Sequence, residues 1–253
     1  MLAVVLGVAC GGGPSRKEVE RSMREFQLAD ALRNEGNTPA SIEHLRKSLE
    51  LDPENARAQL LMGFIFMERG DLITAEEHLR NGIRILQERS AHSGGVLAEA
   101  RNVLGLALIH QKRYDEAIEV LERSAKDALN RAPHLAWGNL GLAHYEKKEY
   151  DAALRALRQA VRMQPRFCVG FFLMGQIHFD REDFEQAEKT LTKAIEADPK
   201  CKDTYQEAWK LRGEARARLG HRHDAIADFE RCVEINPEAA AGKACQRLLE
   251  STE

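Results

Sequence analysis

No surplus of either charge marks this sequence: 37 Lys and Arg stand against 40 Asp and Glu, a net charge of −3 over 253 residues. That balance leaves no electrostatic footprint for nucleic acid or an acidic membrane surface, and the basic residues are dispersed as on solvated faces. The five cysteines, Cys10, Cys168, Cys201, Cys232 and Cys245, make no CxxC pair and no Cys/His cluster of zinc spacing. His221 and His223 flank Arg222 in a turn and lack a third ligand, so no metal is expected. Gly-rich phosphate loops, HExxH, GxSxG and EF-hand patterns are all absent. Carboxylates recur as i, i+4 partners of Lys and Arg, and no acid/base pair stands apart from them. An enzyme is therefore not expected: no catalytic residue, cofactor or small-molecule substrate is assigned. Proline (7) and aromatics (6%) are sparse, which fits a helical protein punctuated by turns.

Long apolar runs are missing too, apart from Met1–Ala9, which is far short of the roughly 20 residues a membrane-spanning helix needs. It has the length of a signal-peptide core and ends directly at Cys10. Gly7-Val8-Ala9-Cys10 resembles a bacterial lipobox, although Gly7 replaces the usual Leu and no Lys or Arg precedes the run. The expectation is a signal segment at 1–9, then lipidated Cys10 and a flexible linker over 10–21. A lipid on Cys10 would tether the chain to a membrane, and Gly11, which is not Asp, favours the outer membrane. The remaining cysteines read as small buried residues. An oxidising compartment would allow Cys168–Cys201 or Cys232–Cys245 disulfides, which spacing leaves undecided.

One spacing recurs six times. Trp137, Leu140-Gly141, Ala153, Leu157, Ala160 and Pro165 form the best copy, and Phe171, Met174-Gly175, Ala187, Leu191, Ala194 and Pro199 the next. Met62-Gly63, Ala75 and Leu79 repeat it upstream, as do Leu104-Gly105, Ala117 and Leu121. Leu28-Ala29, Ser41, Leu45 and Ser48 form a degenerate first copy; Gly213, Ala225 and Phe229 form the last, with Arg212 in place of Leu. Small residues let two antiparallel helices approach, large apolar ones fill the gap, and Pro closes the second helix. The pattern identifies the chain as a member of the tetratricopeptide-repeat (TPR) family. The fold class expected is all-α: a TPR superhelix of helix-turn-helix repeats over 22–239 (22–55, 56–89, 98–131, 134–167, 168–201, 206–239), with a capping helix over 240–253. The spacer Ser90–Leu97 is the longest departure from the period.

Family resemblance assigns repeat positions 2, 5, 9, 12 and 13, on the first helix of each hairpin, to a concave face. In the fourth and fifth repeats these include Leu135 and Gly138, then Val169 and Gln176. The candidate partner contacts are Leu60, Phe64 and Met67 of the second repeat, Leu106 and Ile109 of the third, Leu142 and Tyr145 of the fourth, and Phe172 and Phe179 of the fifth. An apolar strip would then span repeats two to five, with a charged sixth closing it. The Lys/Asn clamp of chaperone-binding TPR domains is missing, because Glu214 stands where Asn is needed beside Lys210.

A lipobox-like start, a short linker, six TPRs and a cap together resemble the type IV pilus secretin pilotins, the PilF/PilW lipoproteins and their myxobacterial counterpart Tgl. The resemblance implies a partner, the pilus secretin, bound through the groove and assembled into its multimeric pore at the periplasmic face of the outer membrane. The role would support pilus biogenesis and motility. Two alternatives stay open. One is another outer-membrane TPR scaffold, serving peptidoglycan hydrolases or β-barrel assembly; the other is a cytosolic TPR adaptor with a merely apolar N-terminus.

Overall fold

The computed structural model describes residues 13–89 and 95–252. The expected signal segment 1–9, Cys10 and spacer residues 90–94 lie outside the described residues. Among the described residues all regular structure is helical, in 14 helices. They belong to two compact units, Met1–Ser93 and Gly94–Glu253.

The first unit holds two hairpins, α1 (Arg16–Asn34) with α2 (Thr38–Leu51) and α3 (Ala56–Glu68) with α4 (Leu72–Arg89). Helix α1 begins inside the stretch 10–21 that was expected to be linker. The cause is a capping box: Glu18 N–H donates to Ser15 Oγ (3.4 Å) and Ser15 N–H donates back to Glu18 Oε2 (2.7 Å). The first repeat also substitutes serine for alanine in its core. Ser41 Oγ donates to the Ala29 carbonyl at 2.8 Å, Ser48 Oγ donates to the Ser22 carbonyl at 2.9 Å, and Asn55 Nδ2 donates to Ser22 Oγ at 2.9 Å. Each buried hydroxyl is thus satisfied, which is what lets a polar residue occupy the site.

The second unit runs α5 (Val96–His110), α6 (Tyr114–Ala125), α7 (Pro133–Glu146), α8 (Tyr150–Met163), α9 (Cys168–Asp180), α10 (Phe184–Glu196), a short α11 (Pro199–Thr204), α12 (Gln206–Arg218), α13 (Arg222–Ile235) and α14 (Ala240–Thr252). Pro199 does not simply close α10. It opens α11 from the first turn, where proline is favoured, and Asp198 caps it by accepting the Lys200 N–H at 2.9 Å. Both disulfides left open by the sequence are formed. Cys168–Cys201 ties the start of α9 to α11, and Cys232–Cys245 ties α13 to the capping helix α14.

The small residues act as the pattern implies. A Cβ on Gly141 would fall 2.5 Å from Leu157 Cγ, and the same leucine-over-glycine seat recurs for Gly63 with Leu79 and Gly175 with Leu191. These leucines, and the alanines Ala75, Ala117, Ala153, Ala187 and Ala225, are wholly buried. Glycine at the crossing therefore sets the distance between the two helices of a hairpin, and the opposing side chain fills the gap.

Candidate partner-binding groove

In the second unit the first helices α5, α7 and α9 carry the candidate contacts, and α12 carries the charged sixth-repeat positions. Leu106 and Leu142 are half-buried, leaving part of each side chain free for a partner. Ile109 is 6% exposed and belongs to the core, so the structure removes it from the contact surface. Tyr145, Phe172 and Phe179 are half-buried and bridge successive repeats. The Tyr145 hydroxyl donates to Asp180 Oδ2 at 2.8 Å, and Gln176 Nε2 donates to the other carboxylate oxygen at 3.0 Å. Burial first, then that bond to Asp180, pushes the Tyr145 hydroxyl pKa well up, so the group stays a neutral donor. Phe172 packs on Tyr205 with ring centroids 5.0 Å apart, and Phe179 meets the Phe184 edge at 5.3 Å. These aromatics thus hold neighbouring repeats together as well as lining their face.

The most open apolar side chains on this face are Leu135, 41% exposed, and Val169, 47% exposed, both at the second position of a repeat. Gly138, assigned to the same face, is instead a close-packing point, since its Cβ would fall 2.7 Å from the Phe167 ring. At the sixth repeat, Lys210 is held by Glu214 at 3.1 Å, which occupies the ammonium that a carboxylate clamp would need.

In the first unit Phe64 and Met67 are half-buried, but Leu60 is only 3% exposed. The reason lies in α4, where Gly82 stands at a position that is alanine in the fourth and fifth repeats. With no Cβ there, Leu60 sinks over the backbone; an added Cβ would meet Leu60 Cδ2 at 2.5 Å. Leu60 is core rather than contact.

Among the described residues no three His, Cys, Asp or Glu side chains cluster as metal ligands, and no helix is long and apolar enough to cross a membrane. His221 lies 3.5 Å from Glu188, and the fully exposed His223 lies 3.7 Å from Asp224.

Tetratricopeptide-repeat models match residues 26–55, 54–130, 134–167, 170–201 and 206–239, which together cover most of the chain. The chain belongs to the tetratricopeptide-repeat family. Within it, the chain is related to the type IV pilus assembly protein PilF of Pseudomonas aeruginosa, with 28% identity over 138 residues, 54% of this chain and 52% of PilF. It thus spans about half the length of that curated relative. The fold is also that of PilW, described as a widely conserved type IV pilus biogenesis factor (TM-score 0.75, 18% identity, 89% of this chain and 98% of that one). The solved structure of P. aeruginosa PilF agrees equally (TM-score 0.72, 20% identity, 92% of this chain and 100% of that one).

Proposed function

We propose that this chain is a non-enzymatic assembly factor of the type IV pilus: a lipoprotein anchored through Cys10 at the periplasmic face of the outer membrane. It binds the pilus secretin along its first-helix face and promotes secretin localisation and multimer assembly, and hence pilus biogenesis and motility. The observation that carries the reading is the relationship to PilF, whose own description is pilus assembly. Two further features support it. The two disulfides suit an oxidising compartment outside the cytosol. Leu135, Leu142 and Val169 offer apolar surface of the kind a helix or extended segment of a partner buries.

The test has two arms. Cys10→Ala should abolish acyl labelling and deplete heat-resistant secretin multimers; labelled wild type with undiminished multimers in the variant would sink the pilotin reading. Leu135→Glu combined with Val169→Glu alters only exposed positions, so helical content should hold while secretin co-purification falls at least tenfold. Undiminished co-purification would remove this face from the interaction.

A further inference from the structure

Beyond Asp151 in its first turn, the outer side of α8 carries only positive charge. Arg155, Arg158 and Arg162, with Arg166 just beyond the helix, are all exposed on the face opposite buried Ala153, Leu154, Leu157 and Ala160. Arg162 donates to Gln159 Oε1 at 2.5 Å, and no ion pair engages any of the four among the described residues. Asp151, at the top of the same face, is committed to Arg181 at 2.7 Å, which with Arg155 and Arg158 nearby holds its carboxyl below the usual range. On α4 and α6, by contrast, cations pair one turn away: Arg84 with Glu88, Arg123 with Glu119, and the α6 cap residue Lys126 with Glu122.

Two repeats later, the repeat positions of Arg158, Arg162 and Arg166 are held by Glu230, Glu234 and Glu238, all exposed on α13 and the turn after it. Glu234 is shared with Arg231 (3.1 Å) and Glu238 with Lys243 (3.2 Å), exposed pairs that exchange readily; Glu230 has no ion pair among the described residues. Within the helices the steps match, Arg158 to Arg162 and Glu230 to Glu234 each advancing four residues or about 6 Å, and Arg166 and Glu238 stand at equivalent positions in the turns that follow.

We infer that α8 of one copy docks on α13 of a second copy of this chain. Matching steps let the three Arg–Glu pairs form together, and guanidinium forks suit carboxylates. Each copy carries both ladders, so the contact can be made twice around a two-fold axis and close as a dimer. A second copy is favoured because the same chain carries the matched acidic ladder, whereas the neighbouring α10 shows mixed signs, with exposed Glu185 and Glu196 beside exposed Lys189 and Lys193. A contact one helix wide and rich in exposed charge is transient and salt-sensitive.

The experiment is sedimentation velocity of the full chain in a density-matched non-ionic detergent. At low salt the mass should rise toward twice the monomer with concentration, and association should weaken at least about tenfold at 0.5 M salt, where screening is within a few ångströms. R158E/R162E and E230R/E234R should each be monomeric alone. Mixed together they should associate again, because both contacts of the mixed pair are then complementary. A wild type that stays monomeric, variants that associate like wild type, or a mixture that stays monomeric would each overturn the proposal. So would a monomeric wild type that instead binds an acidic protein through its arginines.

Discussion

Arg212 occupies a core position where the repeat calls for leucine, and the surrounding residues explain how it is tolerated. Its guanidinium makes a two-pronged contact with Asp228 (2.9 and 2.7 Å), a third bond to Thr192 Oγ1 (3.1 Å), and lies 4.7 Å from the Trp209 ring centroid. Arg216 reaches the same carboxylate at 3.0 Å and Glu188 at 2.8 Å. The cluster joins α10 to α12 and α13 and replaces an apolar seat by a fully paired polar one. Breaking a buried pair leaves an uncompensated charge, so Asp228→Ala should cost about 3–5 kcal/mol in chemical denaturation. Replacing both partners, Arg212→Leu with Asp228→Leu, should recover most of that loss. A single-variant cost below about 1 kcal/mol would mean the cluster does not hold the sixth repeat in place. Sequence spacing exposes Arg212 as a departure, but its partners come from three helices, and only the packed repeat brings them together. Leu60 and Ile109 are misassigned for a related reason. Position numbers give a helix face, whereas burial depends on what stands opposite, such as Gly82 beneath Leu60.

At the scale of the helical hairpin, each turn needs one residue in the left-handed region. Gly36, Gly70 and Gly220 supply it with φ of 82°, 76° and 79°, while Lys112, Lys148 and Glu182 adopt it at φ near 60°. The glycines are legible as turn markers. The lysines and the glutamate are not, because nothing in their chemistry favours that conformation and the flanking helices impose it. An L-residue there costs about 1–2 kcal/mol, and glycine returns part of that gain as chain entropy. Lys148→Gly should therefore raise stability by up to about 1 kcal/mol, seen as a higher denaturation midpoint at unchanged slope. Gly220→Ala should lower it by a similar amount, and a Lys148→Gly variant less stable than wild type would mean its side chain contributes more than the strain. Helix boundaries follow the same logic: Ser15 and Glu18 carry a readable start signal, yet the neighbouring glycines suggest a linker. Family models match at 134–167, where the small and large residues recur most regularly, and also at 206–239, where Gly213, Ala225 and Phe229 keep the spacing although Arg212 replaces leucine.

Across the whole chain, covalent reinforcement is one-sided. Both disulfides lie in the second unit, one closing a separation of 33 residues and the other of 13, while the described part of the first unit contains no cysteine. The positions they tie are those where the repeat pattern is interrupted: α11, inserted between the fifth and sixth repeats, and α14, which covers the final hairpin. Neither element has a repeat partner of its own; α11 has no buried residue, whereas α14 packs Ala241, Cys245, Leu248 and Leu249 into a cluster with Phe229 and Trp209, and a cross-link that limits the unfolded chain reinforces both. Loops of these lengths correspond to about 4 and 3 kcal/mol respectively in the chain-entropy account, less any strain. Both tryptophans, Trp137 and Trp209, also fall in this unit, so indole fluorescence reports its unfolding specifically. Reduction should move the fluorescence-monitored denaturation midpoint down by the equivalent of roughly 3–6 kcal/mol for the two bridges together. Cys168→Ser with Cys201→Ser, and separately Cys232→Ser with Cys245→Ser, should each account for about half and abolish that part of the response to reductant. An unmoved midpoint after verified reduction would show that α11 and α14 are held by packing alone.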